Sequence, residues 1–253
     1  MTLKVIAYAR NGHTDKFGIP RQSREESPIL TRIVFEPEFA VKEALRGIEG
    51  YSHLWILWGF SESERLKVKS EREEWSPTVR PPRLGGNKRM GVFATRSPFR
   101  PNPIGLSSVK LVGIQHSAIS HQLELIVSGA DVLNGTPIYD IKPYLSFSDS
   151  HPDAKNGFAE ETKDYQLAVN WGSIGLITDK SPNNHLIITY YSPNGPLTLP
   201  RRTKEELEYI LAQDPRPAYH DDSEREYKLD YAGLTVTFTV ENRVVYVKNI
   251  EKA

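Results

Sequence analysis

The sequence predicts a mainly β protein with some α: a closed or nearly closed N-terminal β-barrel followed by a small α+β domain. Three observations carry that prediction. Short apolar or alternating segments recur from the N-terminus to residue 145, Gly and Pro punctuate them, and only one segment, near residue 207, has a well-marked helical period. A polar stretch, Ser146–Glu161, with Pro152 and Gly157, marks the expected boundary, giving domains at 1–150 and 157–253.

Taken in order, Leu3–Tyr8 and Thr31–Phe35 read as strands, separated by a long polar loop from Arg10 to Ser27. Glu38–Arg46 has helical spacing and ends against Gly47 and Gly50. Tyr51–Phe60 (YSHLWILWGF) is apolar enough to predict a strand buried on both faces, with His53 a core or edge histidine. Glu62–Glu74 mixes acids and bases and reads as solvated. Gly91–Thr95, Leu106–Ile114, Leu123–Val127 and Ile138–Leu145 read as further strands, with a turn at Asn134-Gly135. In the second domain, strands are expected at Gln166–Trp171, His185–Tyr191, Tyr227–Tyr231, Leu234–Val240 and Val244–Val247. A helix is expected over Thr203–Gln213, opened by a Thr203/Glu206 capping box.

Charge is zero overall, with 32 basic and 32 acidic residues, so a basic partner-binding surface has to be local. One is visible. No Asp or Glu occurs between Glu74 and Glu124, while Arg80, Arg83, Lys88, Arg89, Arg96, Arg100 and Lys110 fall inside. Trp75–Ser107 also holds six of the 18 prolines, which stiffen the backbone that carries those cations. Such a segment suits an anion, although a plain basic surface loop has the same composition. The chain has no cysteine, which excludes disulfides, thiolate metal sites and a Cys nucleophile. Its seven histidines lack ligand spacing, so no metal is expected. No apolar run reaches spanning length and no signal-like segment opens the chain, so a cytoplasmic location is expected. Glycine loops of the Rossmann or P-loop kind, H-E-x-x-H and G-x-S-x-G are all absent.

Gly91–Leu106, GVFATRSPFRPNPIGL, resembles the signature of the TsaA-like (TrmO) family of tRNA methyltransferases. Tyr51–Trp55, Thr78–Asn87, Asn134–Pro137, Asp140–Tyr144 and Leu211–Tyr219 (LAQDPRPAY) agree with it. The likeness spans nearly the whole chain and is weakest over Glu62–Glu74 and Asn156–Arg202. The resemblance implies an S-adenosylmethionine-dependent enzyme that methylates N6 of threonylcarbamoyladenosine, t6A, at position 37 of tRNA, giving m6t6A. It also implies a β-barrel, not a Rossmann, cofactor fold and a homodimer.

By the same resemblance, Pro20, Arg21, Gln22, Phe60, Ser61, Arg96, Leu106, Ser128, Gly129, Ala130 and Asp131 should line the cofactor pocket. Arg96 or Arg21 would pair the cofactor carboxylate. Asp131 would take its amino group or ribose, unless it only caps the nearby turn. Leu106 would pack on adenine. Arg80, Arg83, Lys88, Arg89 and Arg100 are expected on tRNA phosphates. Asp214, Arg216 and Tyr219 are expected near the modified base, unless the two prolines there merely end the helix. No general base is named. Two other functions fit the same residues: a methyltransferase of this fold acting on another RNA or a small molecule, and a non-catalytic tRNA-binding module.

Overall fold

A computed structural model describes residues 3–20, 22–60, 75–81, 84, 88–116, 122–172, 176–180, 186–192, 195–216 and 222–253. The chain divides into two compact units. One comprises Met1–Asn11 and Arg21–Gly157, the other Gly12–Pro20 and Phe158–Ala253. The segment Gly12–Pro20, grouped with the barrel domain on sequence grounds, therefore belongs to the second unit.

The first unit is a closed antiparallel barrel of six strands: β1 (Ala7–Arg10), β2 (Leu30–Phe35), β3 (His53–Gly59), β6 (Ile104–His116), β7 (Leu123–Ser128) and β8 (Pro137–Pro143). They are ordered β1-β2-β7-β6-β3-β8, and β8 pairs back to β1 through Ala7 opposite Ile138. Closure leaves no unpaired sheet edge. Two short strands, β4 (Thr78–Val79) and β5 (Met90–Gly91), pair outside the barrel. The lumen is filled by Ala7, Ala9, Ile33, Leu54, Ile56, Trp58, Val109, Leu125, Val127 and Ile138. Each fully buried Leu or Ile contributes roughly 1.5–3 kcal/mol of transfer free energy. Gly105 makes room for the largest of these side chains: a Cβ there would meet the Trp58 ring at 2.2 Å. Register shifts at Leu57/Trp58 and Leu111/Gly113 bend β3 and the long β6 around the core.

β3 corrects the expectation of a strand buried on both faces. Leu54, Ile56 and Trp58 point inward, whereas His53, Trp55 and Leu57 are only partly covered. Glu38–Arg46 forms only a 3-10 turn, Lys42–Leu45, because no side chain caps Val41 and Gly47 turns left-handed at φ 87°. Gly91–Thr95 is likewise a 3-10 turn over Val92–Ala94, preceded by the short β5. Glu62–Glu74, read as solvated, lies outside the described residues.

The second unit has a three-stranded sheet, β10 (Leu176–Lys180), β11 (Leu186–Ser192) and β12 (Gly195–Pro200). A second sheet is ordered β13 (Tyr227–Tyr231), β14 (Leu234–Glu241), β15 (Val244–Lys252) and β9 (Ala168–Asn170). A one-turn helix α1, Ser146–Asp149, belongs to the barrel unit, and α2, Arg201–Ala212, to the second. α2 starts at Arg201 behind Pro200, so Thr203 lies inside it and caps nothing. Glu206 instead accepts from Arg202 Nε at 2.9 Å and from Tyr231 Oη at 3.0 Å.

His13, from the N-terminal segment of this unit, is 1% exposed and meets Tyr231 edge-on at 5.2 Å. Burial lowers its pKa to about 4 from the usual 6.5. The unfolded chain therefore takes up a proton on His13 before the folded chain does. Its contribution is intact above pH 6.5 and is lost as pH falls toward 4, amounting to about 2 kcal/mol by pH 5. Thermal melts at pH 7 and pH 5 should show this loss in the wild type and a smaller one in His13→Gln.

Candidate functional site

The barrel's outer wall, not its lumen, carries the site. Along β3 and β6 the register sets His53 opposite Lys110, Trp55 opposite Ser108 and Leu57 opposite Leu106. Because side chains alternate along a strand, these residues stand on one face while Leu54, Val109 and Ser107 fill the interior. A cleft of about 430 Å³ lies over that wall, lined by Ser23, Glu25, His53, Trp55, Arg96, Leu106, Ser108, Lys110, Ser128 and Tyr144.

One side of the cleft is aromatic. Trp55 and Tyr144 lie 5.4 Å apart and His53 meets Tyr144 edge-on at 6.2 Å. Asp149 fixes the Trp55 ring: its carboxylate accepts from Trp55 Nε1 at 2.7 Å and from the Leu145 N–H at 3.0 Å. Leu106 adds an apolar surface that is 50% exposed. Charged groups also line the cleft, and Glu25 lies 3.8 Å from His53 Nε2. Arg96 Nη1 donates to Gln22 Oε1 at 2.6 Å, and Lys110 lies 3.4 Å from Glu25.

The segment Gln22–Glu25 is bound to β6 and to the residues that follow β7. Ser23 Oγ donates to the Ser108 carbonyl and the Ser23 N–H to the Asp131 carboxylate. Gly129 has φ 84°, and a Cβ on it would meet the Arg24 carbonyl oxygen at 2.6 Å. Behind the wall runs a chain of donors: Trp58 Nε1 donates to Ser107 Oγ at 2.9 Å, and Ser107 Oγ to Asp131. Burial raises the Asp131 pKa, against the opposing pull of the Ser107 hydroxyl, its own N–H, Arg96 and the Ser23 N–H. Asp131 is therefore tied to the site and not to the Asn134-Gly135 turn, where Asn134 Oδ1 accepts from the Asn11 N–H at 3.2 Å.

Of the expected cofactor residues, Arg96, Leu106 and Ser128 line the cleft. Gln22, Gly129 and Asp131 support it through the contacts above. Ala130 is 2% exposed in the barrel core, and Phe60 meets Trp58 edge-on at 4.4 Å and packs on that core. Pro20 is buried and belongs to the second unit. Arg21 and Ser61 lie outside the described residues, as do Arg83 and Tyr219. Sequence reasoning missed Ser23, Glu25 and Ser108, and named Lys110 only among the cations of the acid-free segment. The period-two spacing of Leu106, Ser108 and Lys110 is the signal that could have joined the last two to Leu106.

Arg80, Lys88 and Arg89 are exposed on and beside the β4–β5 hairpin. Arg100 is different. Its Nε donates to the Ser97 carbonyl at 2.9 Å, and its Nη2 to the Thr95 carbonyl and, at 3.4 Å, to that of Val92. The guanidinium expected on a phosphate instead clamps the loop Val92–Arg100. Within the second unit, Arg216 is paired in two-pronged fashion with Asp214, Nε to Oδ1 at 2.8 Å and Nη2 to Oδ2 at 3.1 Å. Tyr165 Oη also donates to Asp214 at 3.0 Å, and Asp214 itself has φ 51°. This cluster holds Arg216 in one orientation.

Among the described residues no group of His, Asp and Glu side chains gathers that could hold a metal ion. No described helix is long and apolar enough to cross a membrane.

Comparison with known proteins gives a consistent result. The tRNA-methyltransferase O N-terminal domain model matches residues 8–150, and the TrmO C-terminal domain model matches residues 198–253. The chain is 38% identical to an Escherichia coli tRNA (adenine(37)-N6)-methyltransferase over 221 residues, covering 87% of this chain and 83% of that protein. It is 40% identical to the protein of that name from Eikenella corrodens over 200 residues, covering 79% and 97% respectively. A crystal structure of TrmO from Pseudomonas aeruginosa superposes with a TM-score of 0.67 at 28% identity, covering 99% of this chain and 98% of that one.

Proposed function

The chain belongs to the tRNA-methyltransferase O family, and from that premise we propose that it methylates N6 of t6A at position 37 of tRNA, giving m6t6A. The observation that carries the reading is the cleft on the outer wall of β3 and β6, which brings Arg96 and the Trp55–Tyr144 pair into one lining.

The donor set fits S-adenosylmethionine. A cleft of about 430 Å³ is in the range of small-molecule sites, and its lining offers one partner for each part of that cofactor. Arg96 would hold the carboxylate, with Lys110 adding positive charge. Asp131, or Glu25 on the cleft wall, would take the amino group. Trp55, Tyr144 and Leu106 would cover the adenine. The cofactor supplies a methyl group made electrophilic by its sulfonium. The protein's part is to hold that carbon in line with the acceptor nitrogen and to keep the approach dry. Leu106 and the aromatic wall exclude water from one side. A second copy of the chain, in a cytoplasmic homodimer, would cover the open side. The Asp214–Arg216 pair of the second unit would add a tRNA contact.

The test is methyl transfer from labelled S-adenosylmethionine to tRNA that carries t6A and to tRNA from cells unable to make it. Incorporation into the first alone is expected. Equal incorporation into both would keep a tRNA methyltransferase but remove the threonylcarbamoyl group from its recognition.

A further inference from the structure

Phe93 is 77% exposed on a loop whose other members are tied down. Val92 beside it is 1% exposed. The Val92 N–H donates to the Pro77 carbonyl at 2.9 Å, and its own carbonyl accepts from the Thr95 N–H at 3.1 Å and from Thr95 Oγ1 at 2.8 Å. Arg100 gathers the carbonyls of Val92, Thr95 and Ser97 onto one guanidinium. The Ser76 N–H donates to the Phe99 carbonyl at 3.0 Å, fastening the loop to the residue after Trp75. A scattered exposed apolar side chain needs no explanation, but this one is presented by a fixed scaffold. It also has company. Trp75, 39% exposed, stacks against Phe93 with centroids 6.4 Å apart and planes 22° from parallel. The flanking hairpin carries exposed Arg80, Lys88 and Arg89, with Arg89 Nη1 donating to Thr78 Oγ1 at 3.0 Å.

We infer that Trp75 and Phe93 form a stacking platform for an unpaired base of the tRNA anticodon loop, with Arg80, Lys88 and Arg89 on the flanking phosphates. The inference rests on the methyltransferase reading above and names how that site takes its substrate. Exposed aromatics beside clustered cations suit single-stranded RNA, whose bases offer π faces and whose backbone offers negative charge. A second copy of this chain fits the platform less well. A two-fold contact centred here would set Arg80, Lys88 and Arg89 against themselves, with no acid between Glu74 and Glu124 to offset them. The platform also lies close to the cleft along the chain. Phe93 and Arg96 are three residues apart, at most about 10 Å of backbone. A base held on Phe93 therefore leaves its neighbours within reach of the cleft.

The experiment measures the affinity of the full chain for an anticodon stem-loop and for a fully paired RNA of similar length, at two salt concentrations. Phe93→Ala should weaken stem-loop binding by roughly 5- to 150-fold, leaving duplex affinity, salt slope and association state unchanged. Phe93→Trp should retain stem-loop affinity, and Phe93→Leu should behave like Ala. Arg89→Gln, by contrast, should weaken both RNAs and reduce the salt slope by about one. Stem-loop affinity equal to wild type in Phe93→Ala overturns the platform, as does equal loss on both RNAs. A change of sedimentation with Phe93→Ala would assign the patch to a second copy instead. Wild type that binds no stem-loop would overturn the methyltransferase reading as well. Wild type that binds and methylates, with Phe93→Ala indistinguishable from it, would overturn the platform alone.

Discussion

Arg96→Gln lowers kcat/KM for methyl transfer by about 30- to 150-fold and leaves the melting temperature near that of the wild type: this is the expected result for a cation that binds the cofactor and does not hold the fold. The magnitude is that of a lost charge-assisted hydrogen bond, about 2–3 kcal/mol. The fold should tolerate the change because the Arg96 side chain is exposed and its hydrogen bond goes to Gln22, a neutral partner. The loop that carries it is held separately, by Arg100 and the buried Val92. The loss should appear in cofactor affinity, measured by calorimetry. Arg100→Gln is the informative contrast, since it should lower the melting temperature along with activity. Unchanged cofactor affinity in Arg96→Gln would remove Arg96 from the site.

The second large effect is expected at Gly129. Alanine there is strained twice. The backbone has φ 84°, which costs an L residue roughly 1–2 kcal/mol, and the new Cβ would lie 2.6 Å from the Arg24 carbonyl oxygen, a backbone atom that cannot rotate away. Relief requires the segment Gln22–Glu25 to move off the residues that follow β7. That movement breaks the Ser23 bonds to Ser108 and Asp131 and displaces Gln22 from Arg96. Gly129→Ala should therefore cost about 2–4 kcal/mol in total, lower Tm by roughly 5–15 °C and abolish measurable cofactor binding. Gly50→Ala, where the added Cβ meets nothing within 4 Å, should change neither. A Gly129→Ala protein that melts and binds like the wild type would show that the two segments need not meet.

The barrel was legible because its strands are short, regular and separated by strong turn residues. Other features were not legible. The two faces of β3 look alike in sequence, since Trp55 is as apolar as Trp58. Only the pairing with β6 shows that one tryptophan fills the lumen while the other walls a cleft. Glu25 and Lys110 are 85 residues apart and become neighbours only because the loop before β2 folds onto β6. Arg100 was misread because an arginine in an acid-free segment can serve a phosphate or three backbone carbonyls equally well, and composition does not distinguish them. The Thr203/Glu206 capping pattern failed for a local reason. Pro200 takes the N-cap position, so the first helical residue of α2 is Arg201, three residues earlier than an N-cap at Thr203 implies. The residues Gln22, Arg96 and Asp131 were picked out by family resemblance, and no periodicity in the chain would have joined them.

The most direct measurement is nucleoside analysis of position 37. The protein is incubated with S-adenosylmethionine and a tRNA bearing t6A, the tRNA is digested, and its nucleosides are separated and weighed. The account predicts that t6A is replaced by a nucleoside heavier by one CH2, a methyl group having taken the place of the N6 proton, and that Arg96→Gln slows its appearance in proportion to the loss of cofactor affinity. A methyl group found at any other position, or t6A recovered unchanged while the cofactor is bound, would contradict it.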